Sequence, residues 1–164
     1  MILTGTQIIN DISQKNIDIF PFNPEAINPN SYNYTLSNEI KKYNSETKKF
    51  MSLVIPNEGY ILEPHTMYLG MTAEKIGSSK YAMRLIGRSS LGRLGLFLQI
   101  SADLGHVHSS HSWTLELVAC LPIRIYHSME IGQVSFWENY GDIVDFGSYY
   151  NTLNSPGESK YYFS

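Results

Sequence analysis

Cysteine is nearly absent. Of 164 residues only Cys120 carries a thiol, so no internal disulfide framework is available. The Cys-rich zinc sites are excluded as well, including the nucleobase-deaminase signature that needs a Pro-Cys-x-x-Cys pair. Charge is also sparse. Charged residues make up 16% of the chain and sum to −3, which leaves no broad basic surface for a nucleic-acid polymer and points to a small ligand or a protein as partner. No run approaches the roughly 18 apolar residues that span a bilayer. The N-terminal MILTGTQIINDIS has neither a basic n-region nor an apolar h-region, so no membrane partner and a cytoplasmic location are expected.

Tyrosine and glycine are plentiful, 12 of each, a balance that favours strands and tight turns over a helical bundle. With 43% hydrophobic residues the chain has material for one core, not two, so residues 1–164 are expected to form a single domain. Ile8, Ile9 and Ile12 behind possible caps at Thr4 and Thr6 predict a short amphipathic helix over 4–15. IDIF (17–20) and SYNYTL (31–36) read as strands flanking a Pro/Asn turn region. Residues 38–49 are polar and charged, and are expected to be a hairpin tip or surface loop that the fold could spare. From Met51 onward eight short apolar blocks follow one another, MSLVI, GYILE, MYLGMTAEKI, YAMRLIG, LGLFLQIS, SWTLELVA, LPIRIY and IGQVSFWE. Without helical periods between them they argue for an all-β sandwich or barrel. Residues 142–164 are rich in Tyr, Ser and Gly and are expected to cross a surface or a neighbouring subunit, since a free tail seldom carries so many aromatics.

Three stretches could carry chemistry. In GRSSLGRLG (87–95) two serines follow a strand, and Leu and Arg recur at one-turn spacing. This suits a short helix whose N-terminus presents hydroxyls, N–H groups and an arginine to a phosphate; an ordinary Ser-capped turn with two solvated arginines fits as well. In WTLEL (113–117), Thr114, Glu116 and Val118 alternate with Trp113, Leu115 and Leu117. Glu116 is either a solvent-facing carboxylate or, if enclosed, one whose pKa rises into the range useful for proton transfer. His106, His108 and His111 form H-x-H-x-x-H in a Ser-rich loop. They read as loop residues or as an incomplete metal set without a carboxylate second shell.

Read together, GRSSLGRLGL (87–96), SA at 101–102, WTLEL (113–117), LPIRIY (121–126) and MEIGQVSFWE (129–138) resemble the dCTP deaminase branch of the dUTPase-like superfamily. The N-terminal half agrees, with its helix before IDIFPF, PNSYNYTL, and GYILEPHTMYLGMTAEKI. The resemblance implies a distorted β-barrel or jelly-roll of the dUTPase-like type, assembled as a homotrimer with nucleotide sites between subunits. It implies hydrolytic, zinc-independent deamination of a cytosine nucleotide, by default dCTP to dUTP and ammonia, with Mg²⁺ as phosphate counter-ion. By position, Glu116 matches the catalytic glutamate, Ser89 the active-site serine and Arg93 the active-site arginine. Arg88 and Ser90 match phosphate-side residues, and nucleotide contacts are implied at Ala102, His106, Trp113, Thr114 and Tyr150.

The chain also departs from that pattern. His106 stands where the family's Ile-Asp-Pro-Gly-like turn has its aspartate, which disfavours diphosphatase activity and bears on sugar recognition. Asn33 and Thr35 replace an Asp and an Arg at positions read as structural. Tyr149 and Leu153 replace a lysine and a glutamine, a loss of roughly 1.5 to 3 kcal/mol per charge-assisted bond that fits a weaker triphosphate site or a substrate with fewer phosphates. Competing readings are a deaminase or hydrolase acting on another pyrimidine nucleotide, a non-catalytic nucleotide-binding trimer, and a metal-dependent hydrolase built on the histidine loop.

Overall fold

Thr4 and the Ile8/Ile12 stripe fold, in a computed structural model that describes residues 1–99, 101–144, 155–159 and 161, into helix α1 (Gly5–Ser13). The Thr4 hydroxyl accepts from the Gln7 N–H at 3.3 Å and caps the helix, while Ile8 is fully buried. Strands follow: β1 (Ile17–Phe20), then a 3₁₀ turn (Pro24–Ala26), β2 (Ile27–Asn28), β3 (Ser31–Thr35), β4 (Glu39–Asn44), β5 (Lys49–Val54), β6 (Tyr60–Leu62), β7 (Met67–Ser78) and β8 (Ala82–Gly87). A single turn of helix, α2 (Ser89–Gly92), precedes β9 (Leu96–Leu98), β10 (Leu104–Gly105), β11 (Ser110–Ala119), β12 (Ile123–Ile125) and β13 (Glu130–Trp137).

The strands form one sheet in the order β5-β4-β7-β11-β9, with β1 also paired to β7. A second sheet runs β10-β8-β13-β3-β2, and β6 and β12 pair on their own. One core cluster draws on both large sheets: Ile40, Tyr68, Ile76, Leu115 and Leu117 from the first, and Tyr32, Tyr34, Met83, Leu85, Val134 and Phe136 from the second. The chain thus adopts the all-β class that its turn-punctuated apolar blocks predict.

Residues 38–49 meet the expectation of a hairpin tip and depart from that of a spare loop. They are not a dispensable loop: β4 and β5 form a hairpin, and β4 pairs with β7 as an interior strand of the larger sheet, with Ile40 fully buried. Only the tip between them is solvent-facing turn. The charges that suggested a loop lie on the other strand positions, where a single buried residue is enough once neighbours on both sides satisfy the backbone.

Candidate functional site

The turn after β8 is built from below by β3. Tyr34 is completely buried and its hydroxyl donates to the Ile86 carbonyl at 3.1 Å; burial pushes its phenol well above the ordinary tyrosine range, so it remains a donor. Gly132 lies opposite Gly87 in the β8–β13 ladder, and a Cβ there would meet the Tyr34 hydroxyl at 2.1 Å. The glycine is therefore what lets the tyrosine reach Ile86. One residue on, Arg88 has extended backbone (φ −94, ψ 140) and occupies the N-cap of α2 without a side-chain capping bond. This corrects the expectation of serine caps. Ser89 and Ser90 are instead the first helical residues, both exposed, while the Arg88 carbonyl accepts from Gly92 N–H at 2.9 Å.

Arg88 matches a phosphate-side residue by resemblance, and the plainer reading of the turn leaves its guanidinium solvated; the structure departs from that plainer reading. Its Nη1 donates instead to Glu130 Oε2 of β13, in a contact that also involves Asn33, whose Nδ2 donates to the same oxygen at 3.2 Å. Asn33 in turn accepts from Asn28 Nδ2 at 2.8 Å. The structural reading of Asn33 is thereby given a mechanism: an amide donates to a carboxylate that an aspartate at that position would repel.

The second group of residues sits on β11. The β7–β11 register shifts between Ser112 and Thr114, a bulge pinned by the Trp113 N–H donating to Thr72 Oγ1 at 2.8 Å. Trp113 spends its indole N–H on the Ile76 carbonyl at 2.9 Å and stacks on His111 with ring centroids 4.2 Å apart. Beyond the bulge Thr114 lies opposite Met71, and Glu116 opposite Leu69. Glu116 is half-buried, neither enclosed nor fully in solvent. Its N–H donates to Gln99 Oε1 at 3.0 Å, and Gln99 Nε2 donates to the Ala102 carbonyl at 3.4 Å. Gln99, at φ 51, therefore ties the Ala102 turn to the strand that carries Glu116. Residue patterning did not single it out.

A family model described as dCTP deaminase-like matches residues 2–139. The chain belongs to the dCTP deaminase-like family. A relative from Clostridium acetobutylicum, named "dCTP deaminase, dUMP-forming", is 44% identical over 154 residues, 90% of this chain and 88% of the relative. Another from Rhodopirellula baltica, named "dCTP deaminase", is 43% identical over 148 residues, 87% of this chain and 74% of the relative. The crystal structure of 2'-deoxycytidine 5'-triphosphate deaminase from Agrobacterium tumefaciens superposes on 84% of the chain with a TM-score of 0.70 at 15% identity. That likeness establishes the fold. The chain spans about half of that structure's length, 48%.

Within this family fold the residues expected to act fall into two groups on different sheets. Ala102, Thr114 and Glu116 gather around β11, whereas Ser89, Ser90 and Arg93 occupy the exposed turn after β8. Among the described residues no side-chain hydrogen bond or ion pair joins Arg93 to Glu116. Residues 155–159 of the tail reach the first group: Gly157 N–H donates to Thr114 Oγ1 at 2.9 Å and Pro156 is buried. Tyr150, and with it Tyr149 and Leu153, lies outside the described residues.

The histidine loop does not converge. His106 is exposed, His108 has φ 66, and His111 is buried with Nδ1 donating to the Ser112 carbonyl at 2.9 Å. Desolvation holds His111 below the ordinary histidine pKa, in its neutral form. Among the described residues no three of His, Cys, Asp and Glu come together to hold a metal ion.

Proposed function

We propose that this chain deaminates dCTP by hydrolysis at C4 of the cytosine ring. The observation that carries the reading is the family match over 2–139, with a serine at 89, an arginine at 93 and a glutamate at 116 at the positions that the reaction needs. Glu116 takes a proton from a water as that water attacks C4, then returns protons to N3 and to the departing amino group, leaving a uracil nucleotide and ammonia. Ser89 orients the water and receives developing charge. Arg93 fixes the position of Glu116 before attack. Arg88, Ser90 and the α2 N–H groups face the phosphates, and the turn's hydroxyls, amides and guanidinium are donors suited to phosphate and not to a cation. Mg²⁺ would accompany the phosphates as counter-ion and offset part of their charge, with no side chain of the turn suited to hold it. Ala102, His106, Trp113, Thr114 and Tyr150 are the remaining substrate-binding residues of this reading.

The site is completed between three copies of the chain. Supporting this, the apolar side chains of Leu94, Phe97 and Leu121, which border the turn and the end of β11, are 58%, 41% and 61% exposed, a surface that a monomer would leave wet. Tail residues 155–159 cover the nucleotide site of their own subunit, a reading that the Gly157–Thr114 bond supports. No helix among the described residues is long and apolar enough to cross a membrane; a cytoplasmic location is our proposal.

A second reading adds a later step, release of diphosphate to leave dUMP. It is favoured by the name of the Clostridium acetobutylicum relative, "dUMP-forming", and opposed by His106 at the position of an expected acid. Anion-exchange separation of dUTP from dUMP after complete deamination decides between them. The deaminase reading itself is tested with Glu116→Gln. Ammonia release falls by about a hundredfold or more, while calorimetry still detects dCTP binding; near-normal turnover in that variant refutes the assignment.

A further inference from the structure

Lysine is seldom buried unless paired, yet the Lys41 side chain is only 16% exposed. Its partner is 117 residues away in sequence: Nζ lies 2.7 Å from Glu158 Oε1 of the tail. The ladder explains where this pair sits. Lys41 of β4 is opposite Leu69 of β7, and Leu69 is opposite Glu116 of β11, so the three side chains leave one face in a row. Two strand spacings, about 10 Å, separate the lysine from the glutamate. Leu69, between them, is 4% exposed on a face that the sheet order leaves open, and Pro156 is buried. The segment 155–159 therefore covers this row, fixed at one side by Lys41–Glu158 and at the other by Gly157–Thr114.

We infer that Lys41 is a positioning residue for the deamination site, seating the tail segment 155–159 on the Glu116 face of its own chain. The inference rests on the reading of Glu116 given above. The seat has a chemical consequence at Thr114. A hydroxyl has one proton and two lone pairs; by accepting from Gly157, Thr114 is left to direct its own proton outward, towards a nucleotide acceptor lying over β11. Lys41 touches no reacting atom. It acts by lowering the entropy cost of ordering the strap when nucleotide binds, so its loss weakens capture of the nucleotide and spares the chemical step.

The test uses the full-length chain with dCTP as probe. Lys41→Gln and Glu158→Gln each raise KM by about three- to tenfold and lower kcat by less than about twofold, because a partly exposed ion pair is a modest constraint. Lys41→Arg retains near-wild-type KM, and the charge-exchanged double variant Lys41→Glu/Glu158→Lys recovers most of the loss, as a merely structural lysine would not. Raising ionic strength weakens dCTP binding by the wild type more than by either single variant. Unchanged KM in both single variants, or a double variant as impaired as the worse single one, overturns the inference. Calorimetric binding of dCTP by the same proteins separates the two levels. If the wild type binds dCTP but releases no ammonia, the deaminase reading falls while the binding affinities still judge Lys41; if it binds no dCTP, both fall.

Discussion

The Arg88–Glu130 pair holds the turn that presents Ser89, Ser90 and Arg93, and removing the carboxylate should separate its contributions. Glu130 Oε2 receives Arg88 Nη1 and Asn33 Nδ2 together. Both partners of the ion pair are about one-third exposed, 33% and 38%, so its charge is partly screened and a full charge-assisted bond of about 1.5 to 3 kcal/mol is too generous. Glu130→Gln keeps an oxygen for both donors and loses only the charge, which costs about 0.5 to 1 kcal/mol. Glu130→Ala also strands the amide of Asn33, a residue 8% exposed, and an unsatisfied buried donor adds about 1 to 3 kcal/mol. For a chain of this length about 1 kcal/mol moves Tm by roughly 2 to 4 °C. The alanine variant should therefore melt about 3 to 16 °C below wild type and the glutamine variant about 1 to 4 °C below, read by differential scanning calorimetry at fixed protein concentration. A glutamine variant as unstable as the alanine, or an alanine variant within about 1 °C of wild type, refutes the account of this network.

Two further predictions come from the core beneath the site. Glu74 is 4% exposed and accepts from Thr35 N–H and hydroxyl at 2.9 and 3.0 Å; burial, with Glu130 nearby, holds its pKa above the ordinary value of 4.5 despite those bonds. The folded state thus keeps this proton to higher pH than the unfolded chain, so Glu74's contribution to stability is present below about 4.5 and is lost as pH rises through the folded value. Glu74→Gln, which can still satisfy Thr35, should raise the urea midpoint at pH 8 relative to pH 5 when each is compared with wild type; an unchanged difference refutes this. Gly132→Ala puts a methyl 2.1 Å from the Tyr34 hydroxyl, and overpacking of about 1 to 3 kcal/mol or more should lower Tm by at least about 3 °C; a wild-type melting curve would sink the argument.

Much of the fold is legible in local pattern. Alternation over 113–117 places Glu116 on the face of Thr114, and the Thr4 cap and isoleucine stripe become α1. β4 was hidden because its interior position is enforced by β5 and β7 and not by its own hydropathy: of six residues only Ile40 is buried. The serines of 89–90 looked like caps because serine favours that place. β8, however, runs to Gly87, so the extended backbone falls on Arg88 and the serines enter the helix. Long-range polar partners left no trace in sequence. Arg88 and Glu130 are 42 residues apart, and Lys41 and Glu158 are 117 apart.

These partners explain how exposed functional groups can be held in place without being enclosed. Each half of the proposed site is fixed beside its candidate residue and not through that residue's own side chain. Tyr34 grips the Ile86 carbonyl three residues before Ser89, and Glu130 grips the Arg88 side chain one residue before it, while Gln99 and Thr72 grip the backbone of Glu116 and Trp113. Among the described residues, the Ser89 hydroxyl and the Glu116 carboxylate take no part in the scaffold's hydrogen bonds. A group whose lone pairs and protons are not committed to the scaffold can exchange them with a substrate at no cost to the fold. The requirement then falls on geometry, and geometry here is supplied by β3, β7 and β13, whose anchoring side chains reach the site from the core.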